Sequence, residues 1–173
     1  MLPHTHFEPP RPWQTADKCA TPRRVERLIG EHVVTVACGW RHTAALTMQG
    51  ALYSWGHGGF GQLGHGGTID FYLPLRVKGG ELWQQVACGW RHTGALARGG
   101  VAHTWGDGDQ LQLGHGDAKM RVSPTAVDAL FEVSLQQLSI RSSELLCSRH
   151  TAFPPPAHTP PSSLPFHRCR CCS

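Results

Sequence analysis

No stretch of this 173-residue chain approaches the roughly 20 consecutive apolar residues that a membrane helix needs. Met1 to Pro10 has no apolar core of the length a secretory signal uses, which predicts cytosol or nucleus. Charge is sparse, at 16% of residues. The net +4 is spread without a dense basic run, which permits an acidic partner without demanding one. In such compartments the seven cysteines read as reduced thiols rather than a disulfide framework. No Ser, Asp or Glu recurs beside a recurring His, so a catalytic triad is not in prospect. What the chain has in quantity is turn formers, with 20 Gly and 13 Pro.

It also has a repeat. Val36-Ala37-Cys38-Gly39-Trp40-Arg41-His42-Thr43 returns unchanged fifty residues later as Val86-Ala87-Cys88-Gly89-Trp90-Arg91-His92-Thr93. Trp55-Gly56-His57-Gly58 and Gln62-Leu63-Gly64-His65-Gly66 reappear at the same offset as Trp105-Gly106-Asp107-Gly108 and Gln112-Leu113-Gly114-His115-Gly116. A fixed period means one structural unit used more than once. The apolar runs Val33–Cys38, Thr43–Thr47 and Ala51–Trp55 have strand length and are separated by Gly turns; Gln84–Cys88, Thr93–Ala97 and Val101–Trp105 repeat the order. Pro-led strands are expected to open the units, at Thr21-Pro22, Leu73-Pro74 and Ser123-Pro124. Three or four short strands in about fifty residues make one propeller blade, which cannot bury both faces alone.

The fold class expected is therefore all-β: a partial β-propeller of two full four-stranded blades and the start of a third, with disordered termini. Residues 1–20 form a disordered lead or the remnant of a preceding repeat. Blade 1 spans 21–72, blade 2 spans 73–122, and 123–152 is an incomplete third repeat. After Val133 no Ala-Cys-Gly-Trp follows, and Cys147-Ser148-Arg149-His150-Thr151-Ala152 echoes it faintly at the wrong offset. The Pro- and Cys-rich tail 153–173 cannot bury enough apolar surface to order itself.

The Pro-x-x-Val opening, the Gly-x-x-His-Thr centre, the strand end in Trp-Gly and the Gly-Gln-Leu-Gly-His-Gly loop together resemble the regulator of chromosome condensation repeat. That resemblance covers 21–130 and implies a blade of a seven-bladed propeller. Gly-Trp-Arg-His-Thr is most similar to the plant ultraviolet-B photoreceptor branch, where the pentapeptide recurs and its tryptophans are the chromophore. The resemblance implies that Trp40 and Trp90 lie on one propeller face, stacked with Arg41 and Arg91, which also pair with acidic residues of a second subunit. This chain holds two such pentapeptides where the receptors have three, and Leu111 stands where the first loop has Gly61. The receptors' Val-Pro tail motif is missing here.

Plainer readings stand beside these. Trp40 and Trp90 fit blade-packing aromatics as well as chromophores, and Arg41 and Arg91 fit solvated charges as well as interface anchors. Trp55 and Trp105 read as core strand-end residues. Gly39, Gly64, Gly89 and Gly114 serve the turns and close blade approach that need a glycine. His42 and His92 read as buried rings bonding loop backbone. Gly56 to Gly61 fits the dinucleotide expression G-x-G-x-x-G, but no helix follows it, and Asp107-Gly108-Asp109 is too short for a calcium loop. His167, Cys169, Cys171 and Cys172 are packed too closely for an ordinary zinc clip. No metal, cofactor or enzymatic activity is expected. Three functions remain: an ultraviolet-B sensing fragment; an interaction propeller of the kind that exchanges nucleotide on a small GTPase, docks on chromatin or recruits ubiquitin-ligase substrates; or a truncated product without independent activity. The expected partner is a protein, through self-association or the remaining blades.

Overall fold

In a computed structural model, the structure describes residues 22–130, 135–141, 144–149 and 167–168. The first sheet is an antiparallel meander of β1 (Val33–Cys38), β2 (His42–Thr47), β3 (Leu52–Gly56) and β4 (Phe71–Arg76). The second repeats it with β5 (Trp83–Cys88), β6 (His92–Ala97), β7 (Ala102–Gly106) and β8 (Arg121–Ala126). These are the two blades. Tight turns close the second hairpin of each, β2–β3 and β6–β7, with Gly50 at φ +86° and Gly100 at φ +81° where a side chain would be strained.

The Pro-led segments lie elsewhere than expected. β4 and β8, which hold Pro74 and Pro124, close their sheets as the outermost strands and do not open the next ones. An outer strand suits proline, because one side of it has no ladder to donate to. The pairing is also irregular opposite Trp55 and Trp105, which accommodates the ring further.

β1, β5 and β9 (Leu135–Arg141) are the inner strands, each lying against the next. β9 pairs with β10 (Glu144–Arg149), and this hairpin is a third copy of the first two strands that the sequence hides. The registers agree residue for residue. Trp83↔Ala97, an irregularity, then Gln85↔Leu96, Val86↔Ala95 and Cys88↔Thr93 correspond to Leu135↔Arg149, an irregularity, then Gln137↔Ser148, Leu138↔Cys147 and Ile140↔Leu145. The third copy is thus offset by fifty-two residues, and the echo seen at Cys147–Arg149 falls instead at the positions of Ala95–Ala97.

Two apolar cores follow. One lies between the blades, from Leu46, Leu52 and Val77 of the first to Trp83, Val86 and Trp105 of the second. The other lies between the second blade and the hairpin, with Leu96, Ala102, Val127 and Leu130 against Leu135 and Leu138. The termini expected to be disordered fall outside the described residues, apart from His167–Arg168. These two form β11 on the open edge of β10, opposite Cys147 and Leu146, which corrects the expectation for that pair. An unpaired strand edge offers backbone groups to any nearby extended segment.

Leu111 has φ +59°, a left-handed conformation that costs a branched residue on the order of 1 kcal/mol. At the equivalent Gly61 an added Cβ would sit 2.9 Å from the Arg121 carbonyl of the next blade. Space as well as φ requires glycine there.

Candidate functional site

β1 and β5 each run into Cys-Gly-Trp-Arg-His, and the backbone must turn sharply before the next strand begins. A Cβ at Gly39 would collide with the His42 ring and meet the Gly89 carbonyl, so the turn packs against the same turn of the next blade. The Trp40 N–H donates to the Trp90 carbonyl at 3.3 Å, which fixes the two turns side by side.

This places the recurring tryptophans together on the surface. Trp40 and Trp90 are 47% and 53% exposed, high for such large apolar rings, and their centroids are 5.5 Å apart in an edge-to-face arrangement. The Arg41 guanidinium lies 4.4 Å from the Trp40 ring centroid. Arg91 lies 4.6 Å from Trp90, 5.6 Å from Trp40 and 4.2 Å from Phe60, the last a contact the sequence did not signal. Phe60 comes from the Gly-rich loop after β3. Cation–π contacts of this kind contribute on the order of 0.5–2 kcal/mol, rising with desolvation. The Arg91 Nε is buried without a hydrogen-bond partner among the described residues. A cavity of about 520 Å³ bordered by Arg41, Gly56, His57 and Asp70 adjoins the patch.

Behind the patch the histidines are structural. His42 is 3% exposed, and its Nε2 lies 2.9 Å from the Thr93 hydroxyl of the next blade, not against loop backbone as expected. Thr93 gives its single proton to the Gln62 carbonyl at 2.8 Å. His42 must therefore donate from Nε2, which leaves Nδ1 bare, and that atom has no partner among the described residues. The Gln62 carbonyl also accepts from Trp105 Nε1 at 2.9 Å, while the indole packs against Gly64. One carbonyl thus joins two blades.

Burial lowers the His42 pKa to about 4, helped by the neighbouring His92 and His57 rings. His92 falls to about 4 through burial, with Asp107 opposing. Its Nε2 has no partner among the described residues. Trp105 is fully buried between blades, whereas Trp55 is half-buried on a face that no other sheet covers among the described residues. Gly114 lines a cavity of about 480 Å³ beyond the second blade. Cys38 is exposed and Cys88 half-buried, its thiol pushed up to about 12 by burial. Among the described residues, no three of His, Cys, Asp and Glu converge as metal ligands would.

The regulator of chromosome condensation (RCC1) repeat matches residues 13–46 and 49–96, with a second RCC1 repeat match over 33–62. The chain is 50% identical over 50 residues to the E3 ubiquitin-protein ligase HERC2 of Homo sapiens, covering 29% of this chain and 1% of that protein. It is 46% identical over 57 residues to the ultraviolet-B receptor UVR8 of Arabidopsis thaliana, covering 33% of this chain and 13% of the receptor. Identities this close favour neither branch. A solved structure of Prp20p from Saccharomyces cerevisiae, described with its binding to Gsp1p and histones, superposes with a TM-score of 0.62 at 21% identity. It covers 70% of this chain and 32% of Prp20p, which establishes the propeller fold. The chain spans under a third of each of these relatives.

Proposed function

We propose that this chain, whose residues 13–96 carry RCC1 repeats, is a non-catalytic binding segment whose contact face is the patch of Trp40, Arg41, Trp90, Arg91 and Phe60. One observation carries the reading: two large rings half exposed side by side, each with a guanidinium over it. Exposed aromatics and arginines are the residues that anchor protein interfaces. Stacking holds the arginines on the surface with donors left for a carboxylate, so the partner is an acidic protein surface. No helix among the described residues is long and apolar enough to cross a membrane, and we place the segment in cytoplasm or nucleus.

The test titrates the whole chain against Gsp1p and against nucleosome cores over a salt series. Binding to at least one, weakened more than tenfold by Arg41→Ala combined with Arg91→Ala, supports the reading. Unchanged affinity in the double variant, or no binding to either, counts against it.

A second reading, ultraviolet-B sensing, draws on the edge-to-face indoles at 5.5 Å with cations over both. It expects ultraviolet-B light to change the association state of the wild type, and Trp90→Phe to remove the response. A response that survives in Trp40→Phe and Trp90→Phe alike excludes the indoles.

A further inference from the structure

The open face of the first sheet and the outer face of the second carry the two halves of one interface. Between the blades, the second supplies Val86, Thr93 and Trp105, and the first receives them with His42, the Gln62 carbonyl and Gly64. The donating half recurs fifty residues earlier on the open face of the first blade as Val36, Thr43 and Trp55. There Val36 is 58% exposed, against 8% for Val86. The receiving half recurs on the outer face of the second blade as His92, Gln112 and Gly114.

That outer face is only partly used. The β9–β10 hairpin covers its inner portion through Leu135 and Leu138. Among the described residues the His92 Nε2, in a ring 1% exposed, has no hydrogen-bond partner. No tryptophan follows Trp105 in the sequence, and a cavity of about 480 Å³ lies beside Gly114, bordered by Thr125, Ala126 and Ala129.

We propose that a second copy of this chain docks the open face of its first blade on the outer face of the second blade, displacing the β9–β10 hairpin. The Thr43 hydroxyl then meets His92 Nε2, Trp55 fills the cavity at Gly114, and Val36 takes the place of Leu138. The contact is head-to-tail, since the two faces are unlike, and it leaves a free face at each end for further copies. By the same equivalence Trp90 of one copy lies beside Trp40 of the next, as Trp40 and Trp90 do within the chain, so the contact covers one edge of the aromatic patch while resting on different residues.

Sedimentation velocity of the intact chain over a hundredfold concentration range tests it. Wild type should associate with increasing concentration. Val36→Asp, on an exposed residue, and Ala129→Trp, which occupies the cavity, should each be monomeric at every concentration with an unchanged circular dichroism spectrum. Mixed one to one, the two variants should form a dimer, because each retains the face the other has lost. Thr43→Val should weaken wild-type association about tenfold. A wild type that stays monomeric overturns the proposal. So does a mixture that fails to pair, the result expected if like faces associate.

Discussion

Acidifying the chain from pH 7 to pH 4 should remove several kcal/mol of folding stability, and two buried rings should account for most of the change. His42 and His92 have folded pKa values of about 4 against 6.5 for an unperturbed ring. The unfolded chain therefore binds more protons than the folded one throughout that window, and stability rises with pH. The contribution is complete above about pH 6.5, falls as pH drops towards 4, and is flat below. At 1.36 kcal/mol per unit, each ring contributes about 3 kcal/mol. The two are not additive, because each charged ring disfavours the other. Urea midpoints across the range check this, and the variants separate the rings. His42→Leu should cost stability at pH 7, since Thr93 loses its donor while still bound to Gln62. His92→Leu should be near neutral at pH 7, as it removes a buried atom that already lacks a partner. It should also reduce the pH slope. A slope unchanged in both variants would place the titrating group elsewhere.

How much of this was legible depends on which contacts repeat in the chain and which only in space. The exact octapeptide repeat and the turns at Gly50 and Gly100 carried the blades, because hairpin turns are local chemistry. The proline strands were misplaced because an outer edge and a unit boundary look alike along a sequence; only the pairing of β4 with β3 distinguishes them. The third hairpin was hidden for a different reason. A two-residue shift and the loss of Gly-Trp-Arg-His-Thr erase the letters, while backbone register needs only apolar residues at Leu135 and Leu138. At the site, the shared pentapeptide pointed to Trp40 and Trp90. Phe60 reaches Arg91 from a loop thirty-one positions away, and no spacing rule links them. A lone aromatic in an otherwise glycine-rich loop was the one available signal.

Trp105→Ala should destabilise the chain by about 3–5 kcal/mol, while Trp55→Ala should cost under about 1 kcal/mol in dilute solution. The two residues occupy the same strand position, each followed by glycine and opposite the same irregularity in the outer strand, so strand pairing largely cancels in the comparison. What differs is the neighbour. Trp105 is 0% exposed, packs with Trp83 at 6.1 Å, covers Gly64 and donates to the Gln62 carbonyl. Its truncation opens a cavity inside the inter-blade core and leaves that carbonyl with Thr93 alone. Trp55 faces the side where no sheet sits among the described residues, and its loss exposes little that was dry. Against a typical total of 5–15 kcal/mol, the first change consumes a large share of the stability and the second almost none. Denaturant titrations well below any self-association concentration make the comparison clean. Raising the concentration of wild type and of Trp55→Ala then adds a second readout: wild type should gain stability by mass action, and the variant should not. Equal losses from the two substitutions in dilute solution would mean that the tryptophans stabilise their own blades, and that the inter-blade contact carries none of the difference.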